Sequence, residues 1–356
     1  MTLRVVVWGT GHVGRPAIRT ILAHRDLELA GVVVADPAKV GLDAGAIADC
    51  GITGVVATDD AGPLLASGVD AVAYCASGDM RPDDALADIL RCLRAGASVV
   101  TPSVYALYHP ASAPAQLVAR VEEACREGGA SVFASGIDPG WGLDILPLLL
   151  TGVAGQVDEV RSQEVMNYAA YHNPTSVRDV IGFGQPMDVT PLMLLPGVPT
   201  MTWGSAIRTV ADALGVEVEE IREQVERRPL ERTIEVPGMG VFEAGTQGAF
   251  RFEVQGLVGG RPLIVVEHVT RIDDACAPDW PYPPRGQGCH RVLITGRPDL
   301  EVTVIADDGD GNPAAGGNAT AAARLVNAIP AVCAATPGLL GALDLPFIAG
   351  GGAVTG

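Results

Sequence analysis

The stretch Arg4-Val5-Val6-Val7-Trp8-Gly9-Thr10-Gly11-His12-Val13-Gly14 constrains this chain more than any other. Val5 to Trp8 is a short apolar run of the kind that forms a buried strand, and Arg15 to Ala23 reads as a helix. Between them Gly9, Gly11 and Gly14 satisfy G-x-G-x-x-G. In that pattern the first glycine permits the tight turn off the strand and the second lets the backbone approach a pyrophosphate. The third lets helix and strand pack closely, with the phosphates at the helix N-terminus where unpaired N–H groups point outward. Flanked by strand and helix, the motif predicts a dinucleotide-binding unit rather than an ordinary glycine-rich turn, with Gly9, Thr10, Gly11, His12, Val13 and Gly14 against the cofactor.

The following residues alternate in the same way. Leu27 to Ala35 predicts a second strand ending at Asp36, 22 positions past Gly14, where such units present a carboxylate to the adenosine ribose. Asp36 favours NAD by repelling a 2′-phosphate, while Lys39 offers that phosphate a partner, so NAD and NADP both stay open; a solvated Asp-Pro turn is the structural alternative. Gly54 to Ala57 and Val69 to Cys75 predict strands three and four, Ser98 to Thr101 strand five, and Ser131 to Ala134 strand six. Helices are expected over Pro82 to Ala95 and Ala115 to Glu127, the second closed by Gly128-Gly129. Ligands of such sheets sit at the carboxyl ends of the strands, which adds Ala76, Ser77, Thr101 and Pro102 to the expected cofactor contacts. The expected class is α/β, with an N-terminal Rossmann domain, a doubly wound parallel sheet, over residues 1–140.

Composition narrows the function classes. Hydrophobic residues make up 48% of the chain and aromatics only 4%, so the core is aliphatic, as parallel strands buried on both faces require. A net charge of −18 argues against nucleic acid and anionic membrane surfaces as partners. Lys39 is the single lysine, which excludes lysine chemistry elsewhere. Seven cysteines without a C-x-x-C read as small buried hydrophobes in a reducing compartment. The first strand begins almost at once, leaving no room for a signal peptide, and no run reaches the ~18 apolar residues of a membrane span. The expectation is a cytoplasmic protein.

From Ser135 to Asp144 the texture changes to a glycine-rich turn that leads into an apolar helix, Leu143 to Leu150, and a second domain is expected over residues 141–315. Glu159 to Tyr168 alternates like a strand, and Trp203 to Leu214 and Val218 to Arg227 read as helices. Gly248 to Val258 and Arg261 to Ile272 flank Gly259-Gly260, a two-residue hairpin signal, and His290 to Thr295 with Glu301 to Ile305 make a second pair. These segments predict an α+β domain with a mostly antiparallel sheet, helices on one side, and the broad sheet as the surface of a homodimer. Asp308-Gly309-Asp310-Gly311-Asn312 fails as a calcium loop, because Pro313 takes the glycine position and no glutamate closes it, and reads as a surface turn. Asn318 to Ala334 predicts a long helix and Gly338 to Gly356 a loose apolar tail, with residues 316–356 returning to the nucleotide domain.

Hydride transfer asks of a protein geometry, a dry site and a proton donor. Polar candidates gather at two places: Tyr105, Tyr108 and His109 after strand five, and Asn167, Tyr168, Tyr171 and His172 at the end of the first strand of the second domain. Histidine is the side chain whose proton moves most readily near neutral pH, which makes His109 and His172 candidates, and Tyr108 or Tyr168 can donate if its pKa is lowered. Loop anchoring is the competing role for Tyr108 and His109, and pocket lining for Tyr168 and Tyr171. Thr175 and Ser176 fit a helix cap or a substrate contact. Asp138 either faces the nicotinamide or caps a helix. His268, inside a hairpin strand, reads as a satisfied sheet histidine. Trp141, Met166, Met187, Met193 and Trp203 fit an apolar pocket or core, so the expected substrate is small and mostly apolar. No nucleophile–base pair and no metal-ligand spacing is evident.

Several stretches together resemble the dihydrodipicolinate-reductase-like superfamily, and within it the branch of 2,4-diaminopentanoate dehydrogenases and native amine dehydrogenases. They are Gly9-Thr10-Gly11-x-x-Gly14, Asp36-Pro37-x-Lys39-Val40-Gly41-x-Asp43-Ala44-Gly45, Gly136-Ile137-Asp138-Pro139-Gly140-Trp141 with Leu143-Asp144-Ile145-Leu146-Pro147, and Asn318 to Pro330 followed by Pro337-Gly338-Leu339-Leu340. The resemblance covers nearly the whole chain. It implies an NAD(P)-dependent reductase whose substrate sits between the segments after strand five and after the first strand of the second domain. It also implies amine chemistry: a carbonyl and ammonia form an imine that takes hydride, with a carboxylate after strand five handling ammonia. This chain departs there, reading Thr101-Pro102-Ser103-Val104-Tyr105-Ala106-Leu107-Tyr108-His109-Pro110 without Asp or Glu, and it lacks the lysine of dihydrodipicolinate reductases after Tyr168. Ketone or alcohol oxidoreduction without ammonia, and nucleotide binding without turnover, therefore stand beside amine dehydrogenation.

Overall fold

Strand β1 (Leu3–Trp8) enters the middle of a parallel sheet. Helix α1 (Gly14–Ala23) carries the chain to β2 (Leu27–Val33), and α2 (Ala44–Ala48), β3 (Ala57–Thr58) and α3 (Gly62–Ala66) complete that half. On the other side follow β4 (Ala71–Tyr74), α4 (Pro82–Arg94), β5 (Ser98–Thr101), α5 (Ala115–Gly128) and β6 (Val132–Ala134). The order β6-β5-β4-β1-β2-β3, all parallel, is the doubly wound arrangement, and β4 and β5 are buried along their whole length. Helix α4 shows why its sequence folds locally. Ala85, Leu86, Ile89, Leu90 and Leu93 form a buried stripe, Asp83 and Asp84 lie in its first turn, and Arg91 and Arg94 lie in its last, each sign complementing the helix dipole. After β2, Asp43 accepts hydrogen bonds from the backbone N–H groups of Gly45 (2.7 Å), Thr53 (3.0 Å) and Gly54 (2.7 Å), which draw its pKa down to about 2. That is the structural use of the Asp43-Ala44-Gly45 motif.

The structure is a computed structural model that describes residues 2–78, 81–171, 173–307 and 313–354. The chain divides into two units, one running to Ile137 and resuming at Asn318, the other spanning Asp138–Gly317. The second unit contains α6 (Ile145–Thr151), β7 (Gln156–Asn167), α7 (Val198–Leu214), β8 (Glu220–Pro229), β9 (Ile234–Val236), β10 (Gly240–Phe242), β11 (Gln247–Val258), β12 (Arg261–Arg271), β13 (Gly288–Arg297) and β14 (Leu300–Val304). Its six-stranded sheet has the order β14-β13-β7-β12-β11-β8, and only β7 and β12 run parallel. Gly259 (φ 59°) and Gly260 (φ 73°) join β11 to β12 in the left-handed conformation that a two-residue hairpin turn demands. Trp203, Ala206, Ile207 and Val210 of α7 share one core with Phe252, Val254, Ile264 and Val266 of the sheet. The chain then forms α8 (Pro313–Ala334) and β15 (Leu339–Leu340).

Three local expectations are corrected. The segment 218–227 is not a helix: Val218, Ile221 and Val225 sit at helical spacing, but Glu220–Pro229 pairs along β11 as the edge strand. Its Glu223 accepts from Gly197 N (2.9 Å) and Thr200 N (2.8 Å) at the start of α7. Strand three is Ala57–Thr58 alone, because Gly41 N and Leu42 O bond to Ala57 where a longer strand was expected. The tail is not wholly loose, since Leu339 and Leu340 pair in parallel with Val132 and Phe133 and add a seventh strand to the first sheet. The hairpin β9–β10 was not foreseen. The turn 308–312 lies outside the described residues.

Candidate active site

The glycine loop is closed on two sides by the protein and open on the third. Gly9 has φ 94°, and a Cβ there would lie 2.6 Å from Ala76 N; a Cβ on Gly14 would lie 1.9 Å from Gly9 O. A Cβ on Gly11 would meet nothing within 4 Å. The first and third glycines thus let β1, α1 and the end of β4 meet, while the second faces open space at the N-terminal end of α1, where an anion is favoured. A dinucleotide pyrophosphate fits these residues. His12 is exposed and Val13 half-buried on the same loop. Lys39 Nζ reaches back to Thr10, 3.3 Å from its carbonyl and 3.2 Å from Oγ1, and the exposed Asp36 accepts from Ala38 N at 3.0 Å, capping a short turn.

The carboxyl ends of β4 and β5 are tied together. Thr101 is fully buried, its Oγ1 donating to Tyr74 O (2.9 Å) and accepting from Ser103 N (3.1 Å), which ties its side chain into the sheet. Ser103 Oγ donates to Ala76 O, and Pro102 O accepts from Tyr108 Oη at 3.1 Å; Ser77 is exposed. Tyr108 is buried beside Tyr105, ring centroids 6.0 Å apart, and the buried His109 places Nδ1 2.8 Å from Ser112 Oγ. These contacts match loop anchoring by Tyr108 and His109.

In the second unit the register of three strands assembles a charged cluster. Glu164 of β7 is the cross-strand partner of both His268 on β12 and His290 on β13, so the three share one face of the sheet. Asp138 meets them from the turn before α6. His268 Nε2 lies 3.3 Å from Asp138 Oδ1 and its Nδ1 3.5 Å from Glu164 Oε1. His290 Nε2 lies 3.6 Å from Asp138 Oδ2 and 3.9 Å from Glu164 Oε2. The His268 ring stacks on Phe252 (centroids 4.8 Å, 10°) and sits 4.5 Å from the Trp203 ring, whose Nε1 donates to Asp138 Oδ1 at 2.6 Å. Burial opposes a charge on His268, but Asp138 and then Glu164 outweigh it and push its pKa up to about 10. His290 is raised in the same way, with burial and His268 opposing. Asp138, although buried, is held below the ordinary carboxylate range by His268 and His290.

This cluster corrects three expectations. Asp138 is not a helix cap; Asp144 takes that place on α6, accepting from Ile145 N. His268 is more than an ordinary sheet histidine, since both its ring nitrogens lie against carboxylates, and beside it the buried Asp138 Oδ2 and His290 Nε2 have no hydrogen bond. Metal-type donors do converge: Asp138, Glu164 and His268 offer ligand atoms within 4.8 Å of one another, which no sequence spacing announces. Both ring nitrogens of His268 face carboxylate oxygens, an arrangement that a doubly protonated ring satisfies on both sides and a metal ion on one only.

Tyr168 donates to Glu164 Oε1 at 3.0 Å. Burial, and then the Glu164 charge, raise its pKa well above the usual phenol range, so it stays a neutral donor, contrary to the lowered pKa that proton donation required. Tyr171 packs edge-on against it at 5.5 Å, and Trp141 is half-buried against the same core. Asn167 is spent structurally: Nδ2 donates to Asp274 Oδ1 (2.8 Å) and Oδ1 accepts from Ala169 N (2.9 Å). His172 lies outside the described residues. Sequence reasoning passed over Glu164 and His290. The available signal was a charged or imidazole residue at the inward parity of strands otherwise lined by Val160, Val266 and Val292.

The 2,4-diaminopentanoate dehydrogenase C-terminal domain family matches residues 141–352. An amine dehydrogenase from Streptomyces virginiae is 56% identical over 347 residues, covering 97% of this chain and 96% of the relative. A 2,4-diaminopentanoate dehydrogenase from Acetoanaerobium sticklandii is 25% identical over 254 residues, 69% of this chain and 66% of that one. The structure of an amine dehydrogenase from Mycobacterium smegmatis shares the fold, with a TM-score of 0.76, 20% identity and coverage of 98% and 97%. The chain is an oxidoreductase that belongs to the family of amine and 2,4-diaminopentanoate dehydrogenases.

Proposed function

We propose that the protein is an NAD(P)-dependent amine dehydrogenase, reducing the imine formed from a small, mostly apolar carbonyl compound and ammonia, and reversibly oxidising the amine. The carrying observation is the loop in which Gly9 and Gly14 are closed by backbone while Gly11 faces open space, in a chain 56% identical to an amine dehydrogenase. Bound there, a nicotinamide dinucleotide supplies or accepts the hydride. The chain's own part begins with holding it: Gly9, Gly11 and Gly14 admit the pyrophosphate, Asp36 and Lys39 lie at positions suited to the ribose or its 2′-phosphate, Ala76 lies against Gly9, and Ser77 and Pro102 follow the ends of β4 and β5. Trp141, Tyr171 and the methionines of the second unit offer the apolar contacts the substrate needs, and His172 remains a candidate for proton transfer. The absence of Asp and Glu from residues 101–110 favours a second reading, ketone reduction without ammonia.

Seven free cysteines and a chain in which no described helix is long and apolar enough to cross a membrane support a cytoplasmic setting. The broad sheet of the second unit supports a homodimer. The deciding measurement is reduced-cofactor absorbance with butanone, with and without ammonium chloride, and with sec-butylamine or cyclohexylamine in reverse. Oxidation of NADH or NADPH that requires ammonium is expected. Turnover with ketone alone selects the second reading, and cofactor binding without turnover on either panel overturns both.

A further inference from the structure

Resting on the homodimer reading, we propose that two copies of the chain join along strand β8. It pairs antiparallel with β8 of the second copy and continues one sheet through both chains, with Gln224 facing Gln224 of the partner subunit across a two-fold axis.

The six-stranded sheet ends in two unlike edges. Strand β14 is 5 residues long, whereas β8 runs for 10. Among the described residues no strand pairs with the outer side of β8, and its register along β11 is regular from Glu220 to Arg228. Sheet edges are ordinarily protected by short strands, bulges, lysine or proline, because their unpaired N–H and C=O groups template another strand. Strand β8 has no lysine and no interior bulge, and its proline comes at the last position. An edge this long, regular and open is a template for a further strand.

The side chains select a second copy as that strand. In a two-fold antiparallel pair, positions equally far from the central residue lie opposite each other and share a face of the sheet. Centred on Gln224, the pairing sets Glu220 against Arg228 and Arg222 against Glu226, each pair occurring twice. Every charge on that face then meets its opposite. Centred one residue later, on Val225, Arg222 faces Arg228; centred one residue earlier, on Glu223, Glu220 faces Glu226. Opposite charges directly across two strands stabilise them and like charges destabilise them, so charge alone picks the Gln224 register. In the single chain Arg222 lies 3.3 Å from Glu220 along its own strand, both about half exposed. A second observation falls on the same border. Glu223 holds Gly197 N and Thr200 N, and Arg227 Nη1 donates to Met187 O at 3.0 Å, which lays this segment beside β8. It exposes Val189, Leu192, Leu195 and Met201, the last at 66%, next to the exposed Val225 at the centre of the edge. Single exposed apolar side chains are ordinary, but five along one border form a patch that a partner covers. The two-fold axis beside Val225 brings both copies of that patch to one seam.

Cysteine trapping and sedimentation velocity of the full chain test this. Gln224→Cys sets two thiols directly across the axis, where opposed Cα atoms of an antiparallel pair lie about 4.5–5.5 Å apart, within the span of a disulfide. Mild oxidation is expected to turn most of that variant into a covalent dimer whose linked peptides both contain position 224 by mass spectrometry. Wild type, with its own seven free cysteines, and Thr303→Cys on the β14 edge are expected to stay unlinked under the same oxidant. In sedimentation, Glu220→Arg sets like charges across the seam and is expected to raise the dimer Kd about 10–100-fold. Adding Arg228→Glu to the same chain is expected to restore it, with the urea midpoint of all variants at the wild-type value. A wild-type dimer that forms no link through position 224, and whose Kd ignores Glu220→Arg, overturns the edge pairing and leaves the homodimer reading standing on another surface. A wild-type chain that sediments as a monomer at every concentration overturns both, and leaves the edge to a strand of a different protein.

Discussion

The glycine loop of the first unit and the acid–imidazole cluster of the second are built in opposite ways. Gly9 to Gly14 are consecutive, and their shape follows from the steric freedom of glycine between one strand and one helix. Asp138, Glu164, His268 and His290 are separated by up to 152 positions; the last three meet because β12, β7 and β13 pair in one register, and Asp138 reaches them from the turn before α6. A slip of one residue in either pairing would send a histidine to the other face. The loop depends on what is absent, namely side chains, whereas the cluster depends on charges that burial would expel if they were not paired.

Removing one charge is the harshest way to break the comparison. Asp138→Ala leaves His268 buried with half its compensation, and a loss of about 3–5 kcal/mol is expected, read as a lower denaturation midpoint of the second unit. The loop answers next. Gly14→Ala forces a methyl onto Gly9 O, and a destabilisation of about 1–3 kcal/mol with loss of cofactor binding is expected. Gly11→Ala meets no protein atom, so stability should stay within about 0.5 kcal/mol of wild type while cofactor affinity falls. Equal thermal shifts for the two alanines would contradict the distinction drawn between those glycines.

The pH dependence of stability sharpens the contrast further. His268 is raised above the ordinary histidine value, so its contribution is fully present below about 6.5 and fades as pH rises through about 10. Asp138 is lowered, so its contribution holds above the ordinary carboxylate range and is lost in acid. Urea midpoints of wild type and His268→Leu should therefore converge as pH rises from 8 to 11. The smallest effect is expected from Tyr108→Phe, which removes one hydrogen bond to Pro102 O and should cost about 0.5–1.5 kcal/mol with kcat unchanged. A large fall in kcat there would return Tyr108 to the chemistry.

Much of the fold was readable because its signals are local. Strand β5 falls on the predicted residues, α4 and α5 end within a residue of their predicted ends, and the Gly259-Gly260 turn is where two positive-φ residues were needed. Readability failed where local spacing and tertiary partner disagreed. Val218, Ile221 and Val225 repeat like a helix, yet the open edge of β11 draws that segment into a strand. Leu339 and Leu340 carry no strand signal and pair only because β6 is beside them. For the site, the residues near chain landmarks were visible, but Tyr108, His109 and Asn167 turned out to be held by Pro102, Ser112 and Asp274.

What the sequence by itself determined is where backbone must bend or approach closely: the glycine cradle, the hairpin, and the alternating order that makes a doubly wound sheet. Glycine, proline and hydrophobic period act on their immediate neighbours, and those neighbours are given by the chain. The tertiary structure alone decided which ionisable groups share a buried space. Glu164 could be a surface carboxylate and His268 a sheet histidine in any other register. Strand pairing places them within 3.5 Å of each other, and in a low-dielectric interior that distance decides which protons they hold.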